Sequence, residues 1–290
     1  LRLVGFDPAK NMAKFSKETG AHIIVDYFSA KSFAEHYDDK AKIITSIAIF
    51  YDLEDPNQFV SSIAKILDEN GVWVIELKYL PTMILKNAFD DIVHEHLEYY
   101  HFSVIERMLK KYGLKVADAS LNDSNGGSIR IFVKHVNQPI AQKSEIRLSE
   151  LRRSEATMNL NTDEPYEKFL KRCEKLKELA MSFIKKQASA GKKIHAYGAS
   201  TKGNTILQYY GLDNTIIETI ADRNPDKWSR RTIGTNLKII SEEESRSLNP
   251  DYYLILPWHF LEEFRQREKE FLKNGGKFIV PLPDFKIIEG

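Results

Sequence analysis

The sequence predicts an α/β protein built from two doubly wound sheets joined by a helical connector. Three observations carry that expectation. Short apolar runs alternate with helix-length segments through the first half. The alternation restarts after Gly191, and a polar stretch and one long amphipathic helix lie between the two series.

In the first half, residues 3–6, 22–25, 43–49 and 72–77 are apolar runs of strand length, and 59–67 carries a helical periodicity. Strands separated by helices pair in parallel, because a crossover helix returns the chain to the same end of the sheet. The next helix covers 104–112 and stops at Gly113. Residues 114–119 and 128–134 follow as an expected antiparallel pair closing one edge, joined by the turn-forming Asn122-Asp123-Ser124-Asn125-Gly126-Gly127. From 137 to about 161 the chain is polar and without strand patterning. Over 166–187, Phe169, Cys173, Leu176, Leu179, Ala180 and Phe183 fall on one helical face, so Cys173 reads as a packing residue. The second series has strands at 193–197, 216–222, 237–240, 252–256 and 277–280, with residues 198–204 as a loop opening a helix. Both series are Rossmann-like, and the expected boundaries are 1–136, 137–187 and 188–290. A local echo links them. Asp7-Pro8-Ala9-Lys10 and Asp222-Arg223-Asn224-Pro225-Asp226-Lys227 each place an acid at a strand end just before Pro-x-Lys.

Composition bounds the function. The 290 residues are 42% hydrophobic and 29% charged, and 42 basic residues against 41 acidic ones leave a formal charge of +1. No bulk field draws such a chain to nucleic acid or an anionic membrane, so small-molecule or protein partners are expected. One cysteine excludes an internal disulfide framework and a multi-cysteine zinc site within these residues. With no apolar run of spanning length and no signal-peptide pattern, the expected location is cytoplasmic. The opening run 1–7 reads as buried strand without an initiator methionine, so the chain is expected to have been entered midway.

Three places could carry chemistry. Ile92-Val93-His94-Glu95-His96-Leu97-Glu98-Tyr99-Tyr100 gathers two histidines, two carboxylates and two tyrosines. A histidine beside a carboxylate suits general-base work near neutrality. The segment follows the strand 72–77 and the loop Lys78-Tyr79-Leu80-Pro81, beyond a strand's carboxyl end, where open α/β sheets bind ligands. Surface histidines beside a tyrosine-rich packing patch are the competing reading, and no metal is expected, for want of a third ligand nearby. Asp7, closing a strand, is either a ribose-binding acid or a helix cap. Residues 198–204, Gly-Ala-Ser-Thr-Lys-Gly-Asn, form a phosphate-cradling turn in which Ser200, Thr201, Lys202 and Asn204 could meet a nucleotide's phosphates. Ser200 replaces the middle glycine of G-x-G-x-x-G, and Asn204 stands where a P-loop requires lysine. The turn could equally serve as a tight strand-to-helix connection without a ligand.

Taken in order, His94-Glu95-His96-Leu97-Glu98-Tyr99-Tyr100, Asn125-Gly126-Gly127-Ser128-Ile129-Arg130 and Tyr197-Gly198-Ala199-Ser200-Thr201-Lys202-Gly203-Asn204 resemble the S-adenosylmethionine-dependent C-methyltransferases of nucleotide-linked keto-deoxysugars. The likeness extends over essentially the whole chain, including Pro257-Trp258-His259. It implies a class I methyltransferase domain, incomplete at its N-terminus, followed by a Rossmann-like domain, with a sugar nucleotide as substrate. It implies that His96 is the base, with Glu95 orienting it and His94 beside it, and that the resulting enolate takes the methyl group. Asp7 would hold the cofactor's ribose, with Tyr27 and Phe28 near the adenine. Tyr79, Asn125, Arg130, Ser200, Thr201, Lys202 and Asn204 would face the substrate. The sequence departs from the family in Val93, where a tyrosine or cysteine is usual. It also shows neither the family's cysteine-rich zinc module nor its first strand and Gly-rich cofactor loop. Losing that strand is expected to leave two edges unpaired inside the sheet. Two other readings stay open: an NAD(P)-dependent oxidoreductase using the second Rossmann unit with Asp222 as its ribose acid, and a non-catalytic sugar-nucleotide-binding remnant.

Overall fold

A computed structural model of the chain describes residues 2–290, apart from the side chains of Ala13 and Lys17; Leu1, read above as part of the first strand, lies outside the described residues. The strands are β1 (Val4–Phe6), β2 (His22–Ile24), β3 (Ala41–Ile47), β4 (Leu67–Lys78), β5 (Leu114–Asn122), β6 (Ser128–His135), β7 (Ile194–Tyr197), β8 (Thr219–Ala221), β9 (Lys238–Ile240), β10 (Tyr252–Ile255), β11 (Lys277–Val280) and β12 (Lys286–Ile288). The helices are α1 (Ser16–Thr19), α2 (Ala30–Ala34), α3 (Pro56–Ile66), α4 (Leu80–Leu85), α5 (Phe102–Lys110), α6 (Gln142–Thr157), α7 (Glu164–Ser189), α8 (Thr201–Tyr210), α9 (Glu242–Ser247), α10 (Leu261–Arg267) and α11 (Lys269–Lys273).

Contacts divide the chain into two compact units that cut across the expected boundaries. The first comprises Leu1–Lys78, Leu97–Asn122 and Ile129–Glu155, and the second Tyr79–His96, Asp123–Ser128 and Ala156–Gly290. The expected connector is therefore shared: most of α6 packs with the first unit and α7 with the second. Sequence reading left 137–161 without an element because α6 is almost wholly polar. Its buried residues are Ser144, Leu148 and Glu155.

In the first unit, β3, β4, β6 and β5 form one sheet in that order, with β3 parallel to β4, while β1 and β2 form a separate parallel pair. Among the described residues β3 pairs on one side only, and Ile43 and Ile47 along it are exposed. Aromatic packing ties the pair to the sheet. Phe28 meets Phe6 at 5.4 Å and Phe59 at 5.0 Å between ring centroids, and Phe59 continues to Trp73 and Phe50. Trp73 is fully buried and donates its indole N–H to Ser46 Oγ at 3.0 Å, as a buried indole requires. Glu155 caps α5 by accepting from the backbone N–H groups of Phe102 and Ser103, which have no partner inside the helix.

The second unit carries a six-stranded sheet in the order β12-β11-β10-β7-β8-β9, parallel except for β12. In order of appearance this is the 6-5-4-1-2-3 arrangement of a dinucleotide-binding fold, whose strand order reverses between β7 and β10. Cys173 is buried on α7, and burial pushes its thiol up to about 12, consistent with packing rather than nucleophilic use.

Candidate active site

The site is built at the reversal point of the second unit. The turn leaving β7 needs a glycine at 198, because φ is +91° and a Cβ there would lie 2.3 Å from Pro257 Cγ. Ser200 then caps α8, its Oγ accepting from the Gly203 N–H at 3.0 Å. In a dinucleotide-binding protein this crevice would hold the pyrophosphate. Here the chain's own 3-10 turn Phe89–Asp91 packs against α8 and delivers two carboxylates. Lys202 Nζ lies 3.2 Å from Asp90 Oδ2 and 3.0 Å from Asp91 Oδ1, while the Trp258 indole N–H donates to Asp90 Oδ2 at 3.0 Å. Asp90 and Asp91 are 0% and 2% exposed, and Asp90 Oδ1 has no hydrogen-bond partner among the described residues.

Two buried carboxylates share one ammonium. Burial raises the Asp90 carboxyl above its ordinary range, Lys202 pulls it down, and neighbouring Asp91 adds to the rise. Burial alone would lower Lys202; the two carboxylates reverse that and hold its ammonium above the usual lysine range.

The same turn holds His96. Its Nδ1 lies 2.8 Å from the Asp91 backbone carbonyl oxygen. A carbonyl only accepts, so Nδ1 carries the proton and the neutral ring has its basic lone pair on Nε2. Glu95 does not orient this ring: its side chain is 59% exposed, and its partner is the exposed His94, at 4.0 Å. A backbone carbonyl, not the neighbouring carboxylate, meets Nδ1 of this ring. The expected Glu95–His96 pairing is corrected accordingly.

The remaining expected site residues fall into separate groups. Asn125 sits at φ +53° in the loop before β6, and its carbonyl oxygen is 3.4 Å from Lys202 Nζ. Tyr79 is buried at the start of α4, Thr201 is exposed at the first turn of α8, and Asn204 Oδ1 is buried without a hydrogen-bond partner among the described residues. Lys202 and Ser200 are engaged inside the protein, as ion-pair partner and helix cap. Arg130 belongs to the first unit, where Nε and Nη2 both reach Glu76 Oε2, at 2.7 and 2.6 Å, and Asn122 Nδ2 joins that oxygen at 2.9 Å. The structure thus places Arg130 in this cluster with Glu76 and Asn122. Asp90, Asp91 and Trp258 were not singled out as site residues from sequence. The available signal was Asp90-Asp91 set between Ala88-Phe89 and Ile92-Val93, an acidic pair in an apolar run.

The second unit does not fit the oxidoreductase reading. Asp222, its expected ribose acid, accepts from the Ala199 N–H at 2.8 Å and from Lys227 Nζ at 3.3 Å through Oδ2, and from the Asn224 N–H at 2.8 Å through Oδ1. The Asp90–Asp91 turn would also oppose a pyrophosphate at the reversal point. Asp7 makes the matching local turn, Oδ1 accepting from the Ala9 N–H at 2.8 Å, so the sequence echo is a shared backbone device.

Asp7 directly follows β1, and among the described residues its side chain accepts through Oδ1 from the Ala9 N–H, leaving acceptor capacity that suits ribose hydroxyls. The ring of Tyr27 is 77% exposed and suits an adenine face, whereas Phe28 is committed to Phe6 and Phe59. These residues fit a bound adenosyl group at Asp7 and Tyr27. No cluster able to hold a metal occurs among the described residues, and no helix among them is long and apolar enough to cross a membrane.

A methyl-transferring enzyme is the class to which the comparisons assign this arrangement. Residues 1–119 match a methyltransferase domain and residues 123–283 a C-methyltransferase C-terminal domain. C-methyltransferase NovU of Streptomyces niveus is 31% identical over 291 residues, covering 99% of this chain and 68% of that protein. Among solved structures, PKMT2 from Rickettsia typhi is 12% identical with a TM-score of 0.39, over 50% of this chain and 46% of its own. An S-adenosylmethionine-dependent methyltransferase from Clostridium acetobutylicum is 14% identical with a TM-score of 0.36, over 47% and 75%. The chain belongs to the C-methyltransferase family and is an S-adenosylmethionine-dependent C-methyltransferase.

Proposed function

We propose that this enzyme methylates a nucleotide-linked keto-deoxysugar at a carbon beside its ketone, with His96 as the general base. The observation that carries this reading is the contact between His96 Nδ1 and the Asp91 carbonyl, which puts the ring's lone pair on Nε2. A ketone acidifies the adjacent C–H. His96 Nε2 takes that proton, and the C–H electron pair moves toward the carbonyl oxygen to give an enolate. Asp7 and Tyr27 are the proposed contacts for S-adenosylmethionine, which when bound would supply the electrophilic methyl group: the enolate carbon bonds to that methyl as its bond to sulfur breaks, the bonding pair stays on sulfur, and the neutral thioether S-adenosylhomocysteine leaves. Tyr79, Asn125, Thr201 and Asn204 are the proposed sugar-nucleotide contacts.

A positioned base contributes roughly 10²- to 10⁴-fold, so His96→Ala should slow proton abstraction by that factor. The test is solvent deuterium exchange into a panel of nucleoside-diphosphate keto-deoxysugars that differ in base and ketone position. Exchange next to the ketone with the wild type and its loss in His96→Ala support the assignment. Equal exchange in both removes His96 from the role.

A further inference from the structure

We infer that a cleft in the first unit, bounded by α5, the start of β5 and α6, binds an amphipathic anion, an organic phosphate monoester with an apolar body. The cleft has a volume of about 480 Å³, and the residues that line it belong to that unit. Small-molecule sites commonly enclose about 300–1,000 Å³, with apolar walls and a few polar groups converging on them. The site is independent of which residue acts as the base.

The lining has an apolar part and a cationic part. Leu114 and Val116 at the start of β5 are buried yet border the cleft, and Ile140 and the 52% exposed Val136, from the segment after β6, complete the apolar part. The cations are Arg107 and Lys110 from α5, Lys115 from β5 and Arg152 from α6. Glu106 is the carboxylate among the lining residues, and Arg152 already holds it, with Nε 3.0 Å from Oε2 and Nη2 2.7 Å from Oε1. Glu145, also on α6, acts on Arg152 as well. That bidentate pair joins α5 to α6 and consumes the negative charge of the lining. Arg107, Lys110 and Lys115 form no ion pair among the described residues. The carboxyl end of a helix favours cations, which accounts for Arg107 and Lys110 but not for Lys115 on a strand. Three uncompensated cations beside an apolar wall suit neither a bare ion nor a neutral hydrocarbon; they suit an anion that carries a hydrocarbon tail. A phosphate head, with two charges and three acceptor oxygens, satisfies more of those donors than a carboxylate does.

Isothermal titration calorimetry of the full chain with hexyl phosphate tests the site. The wild type should bind it saturably, butyl phosphate roughly tenfold more weakly for the loss of two buried methylenes, and inorganic phosphate more weakly again. Arg107→Gln/Lys110→Gln, at two exposed positions, should weaken hexyl phosphate by about tenfold or more. Val136→Glu brings a carboxylate to the exposed rim; it should weaken binding in the same direction and stands in if the first variant does not fold. Affinity that falls with the shorter chain and with either folded variant supports the inference. Equal affinity in the wild type and a folded variant would put the ligand elsewhere on the protein and overturn it. So would the absence of saturable binding, or inorganic phosphate binding as tightly as hexyl phosphate.

Discussion

Gly198→Ala tests the reversal-point turn most directly. The new Cβ would lie 2.3 Å from Pro257 Cγ and 2.5 Å from Cδ, in a backbone whose φ is +91°. Left-handed backbone costs a residue with a Cβ about 1–2 kcal/mol, and overpacking a filled site adds about 1–3 kcal/mol. The proline ring cannot swing aside as a flexible side chain would. The expected loss is roughly 2–5 kcal/mol, and each 1 kcal/mol lowers the midpoint of a unit this size by about 2–4 °C. Urea unfolding at fixed pH, with calorimetric melting alongside, measures it. The double variant Gly198→Ala/Pro257→Ala separates the parts: removing the ring should recover the steric share and leave the backbone share, giving a coupling energy of about 1–3 kcal/mol. A loss below about 1 kcal/mol for Gly198→Ala, or additivity in the double variant, would refute the close packing on which this description of the turn depends.

Three further outcomes are expected. Trp258→Phe keeps an aromatic ring but removes the indole donor to Asp90, which is 0% exposed; it should cost about 1–3 kcal/mol in urea unfolding. Burial alone would raise the Asp118 carboxyl, but hydrogen bonds from the Arg147 guanidinium and the Ala119 N–H hold it below the ordinary 3.8. Its contribution is thus complete above that value and is lost as pH falls through the depressed one, so Asp118→Asn should flatten the acid limb of a stability–pH curve below pH 3.8. In native-state hydrogen exchange, β1 and β3 should lose amide protection faster than β4, because β3 has a neighbour on one side only and the β1–β2 pair stands apart from the larger sheet. Equal protection across these strands would contradict that arrangement.

Local patterns that the sequence states outright were legible, and long-range packing was not. The runs that became β7, β10 and β11 are rich in isoleucine, valine, tyrosine or leucine, so strand and burial could be read together, whereas β3 was legible as a strand but not in its exposure at Ile43 and Ile47. The helix α6 was hidden because Leu148 is its only buried apolar side chain. His96 stood out by residue type, but its support did not: the contact that selects its tautomer is to a backbone carbonyl, which carries no side-chain signature. Lys202 was read as a phosphate ligand for a similar reason. A sequence displays the loop that presents a lysine and says nothing of which anions face it. The segments 79–96 and 123–128 join the second unit through partners as distant as Trp258, and no local periodicity encodes such a pairing.

The Asp90–Lys202–Trp258 cluster also sets an order of events at the ribosome. The indole that hydrogen-bonds Asp90 is made 168 residues after it, and Lys202 emerges between the two. Until then Asp90 lacks both the ammonium and the indole donor that meet it in the finished fold, and burying it early would strand its charge. The turn Phe89–Asp91, whose last carbonyl meets His96 Nδ1, can therefore reach its buried form only after most of the second sheet has been synthesised. The first half of the chain, although it contains both His94 and His96, emerges from the ribosome before the residues that close this turn.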